Sequence, residues 1–171
     1  MKKNRINNSK KWLLILTATL FSVSLHAQKV VDFTGSWTLN ESKSKMGEEG
    51  QRMLAKNLNI TQGENSITIE RIFSGMNGDE RKMTDTYTLD GKESVNPIFN
   101  TTKKSIAKWS GDMKRLEVSS VIELNMHGET TEIKTAETYS LGDDAKTLII
   151  DSKSSSPRGD RQATFVYDKN I

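Results

Sequence analysis

The residues able to act as catalysts or metal ligands are few in this 171-residue sequence. It contains no cysteine and two histidines, and beyond the apolar segment near its start only His127 remains, beside Gly128 at a predicted hairpin tip. One histidine without cysteine cannot build a His-based metal site. No Gly-x-Ser-x-Gly elbow or glycine-rich phosphate loop accompanies it. The sequence therefore predicts no metal, no cofactor and no nucleophilic enzyme.

Charged residues on the apolar faces of predicted strands are the other candidates: Arg71, Asp85, Glu137 and Arg161. Asp85 alternates in phase with Tyr87, and Glu137 alternates in phase with Tyr139. Since buried charges are costly unless paired, these side chains should meet one another or line a wet cavity.

Three interpretations of these charges remain open. In a binding protein, Arg71 or Arg161 would hold a ligand carboxylate, and the predicted ligand-binding set is Arg71, Tyr87, Trp109, Glu137 and Tyr139. In a solid barrel, the same charges would be salt bridges that close the interior. In an enzyme, Asp85 and Glu137 would stand about 5–10 Å apart across an open cleft, as glycosidase carboxylates do.

The elements that would position these residues are repeated hairpins. Residues 115–141 alternate apolar and polar side chains on both sides of a turn, which is typical of half-buried strands. Similar units begin at Ser66 and Thr147. Each unit has a glycine followed by an acid at its tip and a tyrosine in its return strand, and this self-similarity indicates a repeated hairpin.

About nine strands joined by short turns follow from this pattern, and such turns allow only antiparallel neighbours. Residues 93–102 are the least regular stretch, and Pro97 predicts an edge or a crossing loop there. Closure into an up-and-down barrel would remove the exposed edges. The predicted fold is an all-β antiparallel meander that closes into a barrel of about 8–10 strands, with a two-sheet sandwich as the alternative.

The first 27 residues are predicted to be a secretory signal peptide cleaved after Ala27. Five basic residues precede an uncharged stretch over residues 12–25, which at 14 residues is shorter than the roughly 20 needed to span a bilayer. Without this segment, 20 basic residues face 22 acidic ones, so the net charge of residues 28–171 is −2. That balance lacks the basic footprint of nucleic-acid binding. Residues 28–171 are predicted to form one domain.

Gly35-Ser36-Trp37, at the start of the first predicted strand, resembles the Gly-x-Trp motif of lipocalins. The wider pattern is similar to a group of small exported bacterial lipocalin-like (calycin-type) domains whose function is not established. The resemblance implies that Trp37 closes one end of the barrel beneath an arginine from a late strand. Arg161 is the first choice for that arginine and Arg158 the second.

The leading functional hypothesis is an exported, monomeric, non-enzymatic barrel in the periplasm or outside the cell. It would hold a small apolar or amphipathic molecule inside, with no membrane span in the mature chain. The alternative is a solid barrel that serves as a structural or protein-interaction module of the cell envelope.

Overall fold

The computed structural model describes residues 30–46, 54–75, 78–126 and 129–170. The predicted signal peptide, residues 47–53 and His127 lie outside these residues. The described part contains no helix, and therefore none that could cross a membrane. It contains ten strands: β1 (Gly35–Leu39), β2 (Ala55–Gln62), β3 (Ser66–Ser74), β4 (Glu80–Thr88), β5 (Glu93–Ile98), β6 (Thr101–Trp109), β7 (Arg115–Met126), β8 (Glu129–Leu141), β9 (Thr147–Ser156) and β10 (Gly159–Lys169).

All ten strands form one antiparallel sheet in which chain neighbours are also sheet neighbours, except for β4 and β5, which are its two edges. The order is β4-β3-β2-β1-β10-β9-β8-β7-β6-β5, because β10 returns to pair with β1. From β2 onward the connections between strands are short, which leaves no room for the crossover connections that parallel pairing needs. At two hairpin tips, Gly78 and Gly159 adopt φ values of +82° and +107°, which residues with a Cβ rarely adopt. The sheet curls into a nearly closed barrel, and the predicted all-β meander is confirmed.

Side chains rather than a backbone ladder join the two edge strands, β4 and β5. The Asn96 Oδ1 accepts the backbone N–H of Thr86 at 2.8 Å, and the Asn96 Nδ2 donates to the Thr86 carbonyl at 3.1 Å. The Ser94 Oγ accepts the N–H of Thr88 at 2.9 Å. Residues 93–98, expected to be irregular, thus form an edge strand, and Pro97 is tolerated because β5 has a ladder only with β6. Asn96 and Ser94 therefore supply hydrogen bonds to backbone groups of Thr86 and Thr88 on the facing edge of β4.

One end of the barrel is packed solid by aromatic and aliphatic side chains. Phe33, just before β1, is fully buried there and stacks on Trp109 with ring centroids 6.0 Å apart. The Trp37 Nε1 donates to the Phe33 carbonyl at 3.0 Å, and Gln62 bonds to the backbone of the same lead-in segment. This end, called the base, has a core of Phe33, Trp37, Ile67, Leu116 and Leu148.

The cation above Trp37 is a lysine, which corrects the expectation for Arg161. Lys169 pairs with Trp37 across β1 and β10, and its Nζ lies 5.1 Å from the indole centroid. Arg161 pairs instead with Ser154 near the start of β10 and is exposed. Eight residues of extended strand, roughly 27 Å at 3.4 Å each, separate the two positions. Arg161 and its neighbour Arg158 therefore belong to the opposite end, called the mouth.

Candidate binding site inside the barrel

Four charged side chains from four strands meet midway between the base and the mouth. They are Arg71 on β3, Asp85 on β4, Lys103 on β6 and Glu137 on β8. Each lies on the inward face of its strand, because β-strand side chains alternate and the neighbouring inward positions are core residues. We call these four residues the charge cluster.

Arg71 is at the centre of the cluster. Its guanidinium contacts the Asp85 carboxylate through Nη1, and its Nη2 donates to the Glu137 Oε2 at 2.9 Å. The same Nη2 donates to the Tyr139 hydroxyl at 2.6 Å, and that hydroxyl donates to the Glu137 Oε2, also at 2.6 Å. Both carboxylates are therefore bound to one guanidinium. They do not face each other across an open cleft as a glycosidase pair would.

Lys103 completes the cluster and was not singled out from the sequence. Its Nζ lies 2.6 Å from the Asp85 Oδ2 and 3.4 Å from the Tyr87 hydroxyl. The sequence does indicate its inward position, because Lys103 alternates in phase with Ser105, Ala107 and Trp109. With two cations and two carboxylates, the cluster carries no formal net charge. Among the described residues, no buried side-chain nitrogen or oxygen lacks a hydrogen-bond partner.

Burial sets the ionisation of the groups in and around the cluster. Burial lowers the pKa of Lys103, and the nearby Arg71 lowers it further against the opposing pull of Asp85. For Arg71, burial alone would lower the pKa, but the surrounding tyrosines and carboxylates outweigh it and raise the pKa. Burial also raises the pKa of Tyr87 and that of Tyr139. At neutral pH, Arg71 is therefore held charged and both tyrosines are held neutral.

Solvent exposure of the side chains in the charge cluster increases from Asp85 to Glu137. The exposed fraction of the side chain is 5% for Asp85, 11% for Lys103, 14% for Arg71 and 22% for Glu137. Glu137 is in the interior of a 13-residue strand and faces inward, so solvent reaches it only through an internal opening. The base of the barrel is therefore closed to solvent, whereas solvent reaches the inward face of the sheet at Glu137.

Small inward residues on the last strands create this opening, which we call the recess. The ladder partner of Glu137 is Ser152, and the partner of Ser152 is Ala163. One inward step closer to the mouth, Thr135 pairs with Ser154. All four are partly exposed, and their short side chains leave space where the base has aromatic rings. The serine-rich sequence of β9, TLIIDSKSSS, was the signal that the sequence reasoning missed.

The aromatic residues predicted as ligand walls lie below the recess. Tyr87 and Tyr139 are fully buried, so their rings reach no open surface. Trp109 is half-buried at the base and stacks on Phe33. Apolar walls nearer the recess come from other partly exposed inward residues: Phe73, Met83, Ile122 and Phe165.

A second concavity lies on the outer face of the sheet. This groove of about 630 Å³ follows β6 to β10 and is lined mostly by outward residues, among them Ile106, Val121, Ala136 and Lys153. Residues of the intervening inward row, including Thr135 and Ser154, border it as well. Ser105 and Ser120, on the adjacent inward positions, are buried and hydrogen-bonded to each other. Within the described residues, no group of three or more histidine, aspartate or glutamate side chains could hold a metal ion.

Comparison with solved structures places this barrel among known folds. The chain is similar to the crystal structure of zebrafish ileal bile acid-binding protein complexed with cholic acid, with a TM-score of 0.52. The similarity covers 81% of this chain and 98% of that one, at 15% sequence identity. The fold is a lipocalin-like barrel of the calycin type. At this identity the likeness establishes the fold alone. No family model matches the sequence, and no curated protein matches it either.

Proposed function

We propose that this protein binds a small amphipathic molecule in the recess, with the polar end of the molecule toward the charge cluster. The supporting observation is the exposure of Glu137, which stands at the centre of the barrel and remains 22% accessible. A site of this kind combines apolar walls with a few oriented polar groups, which is how small-molecule pockets achieve affinity and orientation. The zebrafish barrel in its complex with cholic acid shows that this fold can hold an amphipathic molecule.

Binding without chemistry is part of the proposal. The two carboxylates that could act as an acid–base pair are both bound to Arg71. The solved structure that this chain resembles is also a binding protein.

Export to the periplasm or the medium is proposed from the sequence of the first 27 residues. A monomeric state is a separate part of the proposal. Expression of the full chain in a bacterium, followed by intact-mass measurement of the exported protein, tests the export. The expected mass corresponds to residues 28–171, and a mass that retains the apolar segment would contradict cleavage after Ala27. Native mass spectrometry of the same sample gives the number of subunits and any bound molecule.

Filling the recess tests the binding proposal directly. Ala163→Phe places a ring against Ser152, in the space next to Glu137, whereas Gln162→Phe adds the same ring on the outer face one residue away. With the uncharged fluorescent probe N-phenyl-1-naphthylamine, Ala163→Phe should weaken binding at least tenfold and Gln162→Phe less than threefold. Equal affinity of the Ala163→Phe variant and the unmodified protein would contradict binding in the recess.

The second candidate function is a surface role in the cell envelope. It is favoured by the complete pairing of the four inward charges, which would also suit a barrel that binds nothing inside. The same experiment distinguishes the two candidates. A surface role predicts either no probe binding or binding that Gln162→Phe disturbs and Ala163→Phe does not, because Gln162 borders the outer groove.

A further inference from the structure

The polar groups that a molecule in the recess would meet are set by the hydrogen bonds of the charge cluster. Asp85 is nearly inaccessible and is shared by Arg71 and Lys103. Glu137 is the most accessible member, and its Oε2 accepts from both Arg71 and Tyr139. Among the described residues, no donor forms a hydrogen bond with its second oxygen, Oε1. The Glu137 carboxylate is therefore the most accessible acceptor that the charge cluster presents to the recess.

We propose that the molecule held in the recess is an uncharged amphiphile whose polar end is a hydroxyl group, which donates to Glu137. This inference rests on the proposed function and specifies the ligand class. A hydroxyl both donates and accepts one hydrogen bond, so it needs no counter-charge in the site. The cluster is already neutral and supplies none.

A carboxylate ligand does not fit this arrangement. The sequence suggested Arg71 or Arg161 as a carboxylate anchor. Arg161 lies at the mouth, away from the charge cluster, and the charge on Arg71 is already bound by Asp85 and Glu137. An incoming carboxylate would add a third negative charge beside two cations, and the exposed oxygen that it meets first belongs to Glu137. Like charges at contact distance in a partly buried site repel strongly.

A protonated amine does not fit either, although it could donate to Glu137. It would become a third cation within the reach of Arg71, whose Nη2 is 2.9 Å from the same carboxylate. Burial and the nearby Arg71 lower the pKa of Lys103, and a buried ammonium group of a ligand would meet the same two effects.

The wall above Glu137 suits a hydroxyl-bearing molecule. Ser152 faces Glu137 across the β8–β9 ladder, and Thr135 and Ser154 face each other one inward step closer to the mouth. These three hydroxyls can rotate to donate or accept, so they can bind further oxygen atoms of a ligand without introducing charge. Two inward phenylalanines, Phe73 on β3 and Phe165 on β10, one inward step from Ala163, provide an apolar surface for its hydrocarbon part.

Matched ligands separate the three chemistries. Dodecanol, dodecanoate and dodecylammonium have the same chain length, and each is titrated at pH 7 into the purified mature protein loaded with N-phenyl-1-naphthylamine. Dodecanol should displace the probe at a concentration at least tenfold lower than either charged ligand. Equal or tighter binding of dodecanoate or dodecylammonium would overturn the inference but leave recess binding intact. If the probe binds and Ala163→Phe weakens its binding, but none of the three ligands displaces it, the inference fails and the proposed function stands. If the probe does not bind, both fail.

A charge-neutralising variant provides an independent readout. Glu137→Gln keeps the size of the side chain and leaves the cluster with one excess positive charge. It should therefore improve dodecanoate binding at least tenfold relative to dodecanol. Glu132→Gln, on the outward face of the same strand, is the matched control and should leave the ratio unchanged. An unchanged ratio in Glu137→Gln would overturn the inference. If that variant does not fold, the ranking of the three ligands by the unmodified protein still decides the question.

Discussion

Replacing Asp85 with asparagine tests whether the charge cluster stabilises the barrel as a balanced unit. The Asp85 side chain is 5% exposed and is the shared partner of Arg71 and Lys103. Asparagine has nearly the same shape, so the change removes one negative charge and creates almost no cavity. Two cations then remain in the interior with only the Glu137 carboxylate to balance them.

The cost follows from the burial of the partners. Removing one member of a buried ion pair typically destabilises a protein by about 3–5 kcal/mol, because the remaining charge is left buried without compensation. Lys103, with its pKa already lowered, can lose its proton, so we expect the lower part of that range, about 3 kcal/mol. For a chain of this size, about 3 kcal/mol corresponds to a fall in Tm of roughly 6–12 °C.

Urea unfolding at pH 7, followed by circular dichroism, measures this change. Asp143→Asn, at an exposed turn, is the control and should stay within about 0.5 kcal/mol of the unmodified protein. The double variant Asp85→Asn/Lys103→Met removes the excess positive charge and should recover at least about 1 kcal/mol. A loss below about 1 kcal/mol for Asp85→Asn, or no recovery in the double variant, would refute the view that the cluster is a coupled, buried unit.

Two further predictions concern the contact between the edge strands β4 and β5, and the ionisation of the buried tyrosines. Asn96→Leu removes both hydrogen bonds to the backbone of Thr86 and should lower the free energy of unfolding, measured in urea, by about 1–3 kcal/mol. Val95→Ala, on the exposed side of the same strand, is the control and should change it little. Burial raises the pKa of all three tyrosines above the value of about 10 that they have when unfolded, so the folded state retains protons that the unfolded state releases, and stability should fall as the pH rises above about 10. Tyrosinate absorbance at 295 nm should appear only together with the loss of circular dichroism; ionisation near pH 10 with the circular dichroism intact would contradict this prediction.

Much of the fold can be predicted from the sequence because hairpins are local. A strand of alternating side chains followed by a glycine-containing turn must pair with what comes next, and this fixes both the direction and the neighbour of each strand. Residues 93–98 were the exception. Proline and polar residues weaken their strand pattern, yet Asn96 and Ser94 hold them in place by replacing backbone hydrogen bonds that β5 does not make to β4.

The sequence by itself determined which side chains face inward, because alternation assigns each residue of a strand to one face. Only the tertiary structure decided which of them meet. Arg71 and Glu137 are 66 residues apart, and their contact depends on the stagger of the strands around the barrel, which alternation does not specify. The same stagger places Lys169 above Trp37 and Arg161 at the mouth. Closure of the sheet, a property of all ten strands together, therefore assembled the site.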